Sequence, residues 1–151
     1  MIILLFGQPA AGKTTLSNAL YNHFSKKDLG WLGGFIQIDG DKWRDVTKNK
    51  DYSKEGRLRN LKGAFDMAIY LEKDDYIPIL SFVTPYEELR SYLRENAKEL
   101  VEIHLQYSGD RGRNGNFAND FELPNGSYLN IDTSLESVDE CLNKIINYIS
   151  K

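Results

Sequence analysis

Apolar positions fall along the chain in two rhythms. Ile2 to Phe6 is an unbroken apolar run, the pattern of a strand buried on both faces. Phe35 to Ile38, Ile77 to Val83, Leu100 to Leu105 and Tyr128 to Ile131 are the other strand candidates. Between them the apolar spacing lengthens to three and four, which predicts helices over Lys13 to Phe24, Ser53 to Glu72, Tyr86 to Lys98 and Leu135 to Ile149. Thr84-Pro85-Tyr86-Glu87 reads as a capping box with proline at the first helical position, and Thr133 with Glu136 repeats that spacing before the last helix. Alternation of the two element types implies an α/β fold with a five-stranded parallel sheet. The stretch Tyr107 to Gly126 has no period, and its four glycines and four asparagines mark it as a long functional or mobile loop.

Composition narrows the setting. With 151 residues and no repeat, linker or low-complexity stretch, residues 1–151 are expected to form a single domain. A net charge of −3 speaks against a nucleic-acid partner held by a general basic field. Met1 to Phe6 carries neither a basic flank nor a cleavage site and is too short to span a bilayer, so no membrane partner and a cytoplasmic location are expected. The single cysteine, Cys141, lies at helical spacing with Val138, Leu142 and Ile145 and reads as core filler. His23 and His104 have no acidic residue at useful spacing and read as structural.

Candidate chemistry begins at GQPAAGKT, residues 7 to 14, which fits G-x-x-x-x-G-K-[ST] between a buried strand and a helix start. Gly7 and Gly12 let the backbone curl so that N–H groups from Pro9-Ala10-Ala11 through Thr15 face phosphate oxygens, and the helix adds its positive end. Proline at position 9 supplies no N–H itself. Lys13 is expected to reach the β- and γ-phosphates of ATP, and Thr14 to offer its hydroxyl to Mg²⁺. This predicts a three-layer P-loop fold that binds a nucleoside triphosphate.

A P-loop does not by itself separate a kinase from a switch or a motor. The second strand helps, because it runs into Asp39-Gly40-Asp41, and ligands of parallel sheets bind beyond the carboxyl ends of the strands. A kinase acting on a hydroxyl needs a carboxylate to accept the proton and acidic support for Mg²⁺, and two acids flanking a glycine can divide those tasks. The plainer reading is an Asp-Gly turn with solvated carboxylates.

Taken in order, Gly7 to Thr14, Asp39-Gly40-Asp41 with Arg44, Tyr52-Ser53 with Arg57 and Asn60, Thr84-Pro85-Tyr86, and Phe117 with Pro124 and Asp132-Thr133 resemble the adenylylsulfate kinases, P-loop kinases of small nucleotides. The resemblance implies transfer of the γ-phosphoryl group of MgATP to the ribose 3′-hydroxyl of adenosine 5′-phosphosulfate. It makes Asp39 the base or hydroxyl-orienting group, with Asp41 supporting metal or phosphate geometry. Arg44, Arg57 and Asn60 would hold the acceptor's anionic end and ribose, and Tyr52 and Phe117 would sandwich its base. Arg111 and Arg113, in the aperiodic loop, become candidate contacts to the donor nucleotide, and a homodimer is common in such a family.

The chain also departs from that family. Gly56 and Arg59 stand where an aspartate and a glutamate are usual, Ala118-Asn119 where threonine-glycine is usual, and YSGDRGRNGN replaces a longer basic lid. The donor half is intact and the acceptor half is altered. A kinase of another nucleotide, such as cytidine diphosphoramidate, is therefore the alternative within this chemistry. A nucleotide-binding switch without a small acceptor is the alternative outside it.

Overall fold

The computed structural model of the chain describes residues 1–26, 33–109, 112 and 117–150. Five strands are found: β1 (Ile2–Phe6), β2 (Phe35–Asp39), β3 (Ile77–Phe82), β4 (Leu100–Gln106) and β5 (Leu129–Asp132). They form one parallel sheet in the order β2-β3-β1-β4-β5. The five helices are α1 (Lys13–Ser25), α2 (Gly40–Thr47), α3 (Lys54–Lys73), α4 (Glu87–Asn96) and α5 (Val138–Ile149).

Every residue of β1 is fully buried because both faces of the sheet are covered. Ile2, Leu4 and Phe6 pack with Leu61, Phe65 and Ala68 of α3 and Leu89 and Leu93 of α4. Ile3 and Leu5 point the other way, toward Leu16 and Leu20 of α1 and Cys141 and Ile145 of α5. This is the three-layer α/β fold expected from the sequence, and Cys141 is core, at 1% exposure. The order reverses at β1: the chain leaves it toward β3 and β2, then returns to its other side for β4 and β5. Such a switch point opens a crevice above the strand ends.

Three local differences from the sequence pattern bear on that crevice. Helix α2 was not expected. It forms because the Asp39 carboxylate accepts from the backbone N–H groups of Asp41 and Lys42, turning the supposed turn into a capped helix start. The Thr84–Glu87 capping box does not form, because Thr84 adopts φ 45° and its hydroxyl turns inward. The carboxylate of Glu122, from across the fold, instead accepts from Glu87 N–H at 2.6 Å. The last helix starts later than expected, at Val138, with a capping box made by Ser137 and Glu140 in place of Thr133 and Glu136. Thr133 spends its hydroxyl on the carbonyls of Ala11 and Gln106.

Candidate active site

The loop between β1 and α1 curls tightly under steric control. Gly7 sits at φ 145°, and a Cβ there would lie 2.0 Å from the carbonyl oxygen of Leu105, so only glycine fits. Gly12 caps α1 at φ 92°. Ala10 is held at φ 65° without glycine's freedom, a strained conformation of the kind that clusters at ligand sites. Lys13 folds over the loop, its Nζ donating to the carbonyls of Gly7 at 3.0 Å and Gln8 at 2.8 Å. Burial lowers its pKa to about 8, against the opposing pull of Asp41 and Asp39.

Two clefts open on either side of Asp41. The first, about 290 Å³, is lined by Pro9, Ala10, Gly12, Lys13, Thr14, Thr15, Asp39, Asp41 and Ser81. The second, about 530 Å³, is lined by Asp41, Arg44, Tyr52, Arg57, Asn60, Thr84 and Phe117 among others. Pro9, Gly40, Asp41, Phe82 and Val83 border both. The residues expected to hold a triphosphate and those expected to hold an acceptor therefore meet along one crevice. Gly7 and Ala11 shape the loop from beneath; Ala11 is packed into the core. Arg111 and Arg113 lie outside the described residues.

The two aspartates differ. Asp39 Oδ2 accepts from Thr14 Oγ1 at 2.8 Å and Ser81 Oγ at 2.9 Å, while Oδ1 caps α2. Burial raises its pKa, but the hydrogen bonds from Thr14, Ser81 and the two backbone amides outweigh that and leave it below the usual carboxylate value. A carboxylate so engaged is a fixed negative charge and a poor proton acceptor. Asp41, by contrast, borders both clefts. The hydroxyl of Thr14 and the carboxylate of Asp39 also form a small, hard oxygen pair at the helix start. That donor set fits Mg²⁺, which these two side chains would hold. Among the described residues no cluster of three or more His, Cys, Asp or Glu side chains offers a complete metal shell.

In the second cleft Asn60 is 6% exposed and Thr84 is fully buried, and Asn60 Oδ1 and Thr84 Oγ1 have no hydrogen-bond partner among the described residues. Buried polar atoms are normally hydrogen-bonded, so these two give the cleft wall polar capacity that the described protein groups do not use. Tyr52 is 65% exposed, its ring 4.3 Å from the Arg44 guanidinium. Arg44 borders the cleft, yet its Nη1 donates to both oxygens of Asn49 and to the carbonyl of Asp51. It braces the turn that presents Tyr52, a task the sequence does not reveal. Arg57 lies 3.9 Å from Asp120; burial and Asp120 raise the Tyr86 pKa against the effect of Arg57.

The chain around Phe117 is fastened by residues that no sequence feature singled out. Arg90, wholly buried, donates to the carbonyls of Thr84, Glu122 and Leu123 and pairs with Glu87. Glu122 N–H returns to the carbonyl of Pro85. Gln8, inside the P-loop, bonds both backbone groups of Ala118. No motif marks these positions, because each acts on backbone atoms distant in sequence. His104 is structural as expected, bonded through Nδ1 to Asn130 and set among Phe6, Phe121 and Tyr128. No helix among the described residues is long and apolar enough to cross a membrane.

Comparison with known proteins places these features in context. The family model described as adenylylsulphate kinase matches residues 1–115. The adenylyl-sulfate kinase of Halothermothrix orenii is 28% identical over 96% of this chain and 86% of its own length. The cytidine diphosphoramidate kinase of Campylobacter jejuni is 28% identical over 70% of this chain and 59% of its own. The crystal structure of APE1195 superposes with a TM-score of 0.86 at 25% identity, covering 99% of this chain and 94% of that one.

Proposed function

The chain belongs to the adenylylsulfate kinase family, and from that footing we propose that it transfers the γ-phosphoryl group of MgATP to the ribose 3′-hydroxyl of a small anionic nucleotide, adenosine 5′-phosphosulfate. The observation that carries this reading is the single crevice in which a P-loop cleft and an aromatic, arginine-bearing cleft meet at one carboxylate, Asp41.

In this reading ATP lies with its phosphates in the cleft of Lys13, Thr14 and Thr15. Lys13 leaves the carbonyls of Gly7 and Gln8 for the β- and γ-phosphates, where its charge offsets the negative charge that moves during transfer. Thr14 and Asp39 would hold Mg²⁺, which would supply positive charge to offset the negative charge of the phosphates. Thr14 holds the metal side of the site, and Asp39, through its bond to Thr14, fixes that hydroxyl's direction. Asp41 then faces the acceptor hydroxyl, orients it toward the γ-phosphorus and takes its proton. This reverses the division of labour expected from the sequence, because Asp39 has both oxygens engaged. Arg57 attracts the acceptor's anionic end, Asn60 and Thr84 supply polar contacts, and Tyr52 and Phe117 flank its base.

Incubating the protein with MgATP and adenosine 5′-phosphosulfate and following ADP formation together with the phosphorylated product tests this. ADP formation that does not respond to any added nucleotide would leave a switch and remove the kinase. A second reading, phosphorylation of cytidine diphosphoramidate, is favoured by the similarity to the Campylobacter jejuni kinase and by the altered acceptor half. It is tested by exchanging one acceptor for the other in the same assay.

A further inference from the structure

Gln8 has no role in holding phosphates through its side chain, which turns away from the Lys13 cleft into a separate cavity of about 210 Å³ behind Phe117. There its Nε2 donates to the carbonyl of Ala118 at 2.9 Å and its Oε1 accepts from the N–H of Ala118 at 3.0 Å. One amide side chain thus reads both backbone groups of a residue 110 positions away. Ala118 is 4% exposed, so neither of these groups has ready access to water as a substitute. The bonds join two pieces of chain that border the acceptor cleft: Pro9 follows Gln8, and Phe117 precedes Ala118.

We propose that Gln8 is a positioning residue that locks the Phe117 wall of the acceptor cleft to the P-loop, so that the stacking surface for the acceptor base is registered against the phosphate-binding loop. This rests on the kinase reading above for its functional meaning, but the clasp itself does not. Only a side chain with one donor and one acceptor at the right separation satisfies both groups of Ala118. Asparagine has the same chemistry but is one methylene short. Methionine matches the length and fills the space without bonding. Glutamate keeps the acceptor and, when ionised, opposes the Ala118 carbonyl.

The lock separates the two substrates, since it acts on the acceptor wall and leaves Lys13, Thr14 and Thr15 in place. Gln8→Met and Gln8→Glu are expected to raise the KM of the acceptor nucleotide about 10-fold, the scale of one to two lost hydrogen bonds, with the KM of MgATP within about 2-fold of wild type. A side chain that mattered only for packing would be satisfied by Gln8→Met. Amide hydrogen exchange reads the clasp without any turnover, and the Ala118 N–H should exchange at least about 10-fold faster in both variants while strand β1 keeps its protection. Unchanged Ala118 exchange would overturn the clasp. Faster exchange with an unchanged acceptor KM would overturn its link to the acceptor, as would equal rises in both KM values. If the wild-type protein phosphorylates neither adenosine 5′-phosphosulfate nor cytidine diphosphoramidate, the kinase reading falls, and the exchange result alone decides the clasp.

Discussion

At the scale of single residues, Lys13 and the aspartate pair carry the sharpest expectations. Lys13 titrates at 10.5 in the unfolded chain and about 8 in the fold, because burial outweighs Asp41 and Asp39. Between those values the unfolded chain keeps a proton that the fold has lost. This residue therefore penalises the fold below pH 8 and penalises it less as pH rises toward 10.5. A bound triphosphate favours the charged form, so ATP binding should take up a proton above pH 8, and affinity should fall about tenfold per pH unit there. Calorimetric titration at pH 8.5 in two buffers of different ionisation heat measures that proton, and equal heats in both would refute it. Lys13→Ala should fold at least as stably as wild type and lose about 10²-fold or more in kcat. For the aspartates, Asp41→Asn should lower kcat with little change in acceptor KM. Asp39→Asn should instead weaken MgATP and lower the melting temperature, since it disturbs the Thr14 and Ser81 bonds and the start of α2. The reverse kinetic pattern would return the base role to Asp39.

At the scale of elements, the β3–α4 corner is built to hold a distant segment. Thr84 at φ 45° turns its carbonyl to Arg90, Glu122 caps α4, and Arg90 closes on the carbonyls of Glu122 and Leu123. Arg90→Met removes a fully buried cation and leaves Glu87 with one partner fewer. It should cost about 3 kcal/mol, or roughly 6 to 12 °C in melting temperature, read by thermal denaturation. A loss under about 1 kcal/mol would mean that water or Arg94 replaces it. The strands were legible in the sequence because a doubly covered parallel sheet needs unbroken apolar runs, and β1 is one. Helix α2 was not legible. Its eight residues bury none of their number, so there is no apolar stripe to read, and its start depends on a side-chain cap. The capping boxes misled for a related reason. The spacing occurs at Thr84–Glu87, Thr133–Glu136 and Ser137–Glu140; the φ of 45° at Thr84 turns its hydroxyl away from the helix start and the bond of Thr133 to the Ala11 carbonyl takes its hydroxyl, which left the last to form.

At the scale of the whole molecule, two clefts that share Asp41 and Pro9 lie along one crevice, and the proposed reaction needs both filled at once. A nonhydrolysable ATP analogue or an acceptor nucleotide, each at about 100 times its Kd, should stabilise the fold by about 2.7 kcal/mol. With Mg²⁺ the two shifts should be close to additive. With a chelator present the combined shift should fall well short, because two unscreened anions then face each other across Asp41; thermal melts with and without chelator compare the cases, and identical shifts would argue against a metal at Thr14. The sequence by itself determined the α/β alternation and the P-loop with Lys13 and Thr14, because each is written in local spacing or in a motif that keeps its residues together; Arg44, Tyr52, Arg57, Asn60 and Phe117 were named through the family resemblance, and the fold lines one cleft with them. Only the tertiary structure decided that Asp39 has both oxygens engaged while Asp41 borders both clefts, why Arg44 braces Tyr52, and how Gln8 and Arg90 fasten the chain around Phe117. Those outcomes depend on hydrogen bonds between atoms far apart along the chain, Thr14 with Asp39, Ser81 with Asp39, Gln8 with Ala118, and such pairings exist only once the sheet has brought the strand ends together.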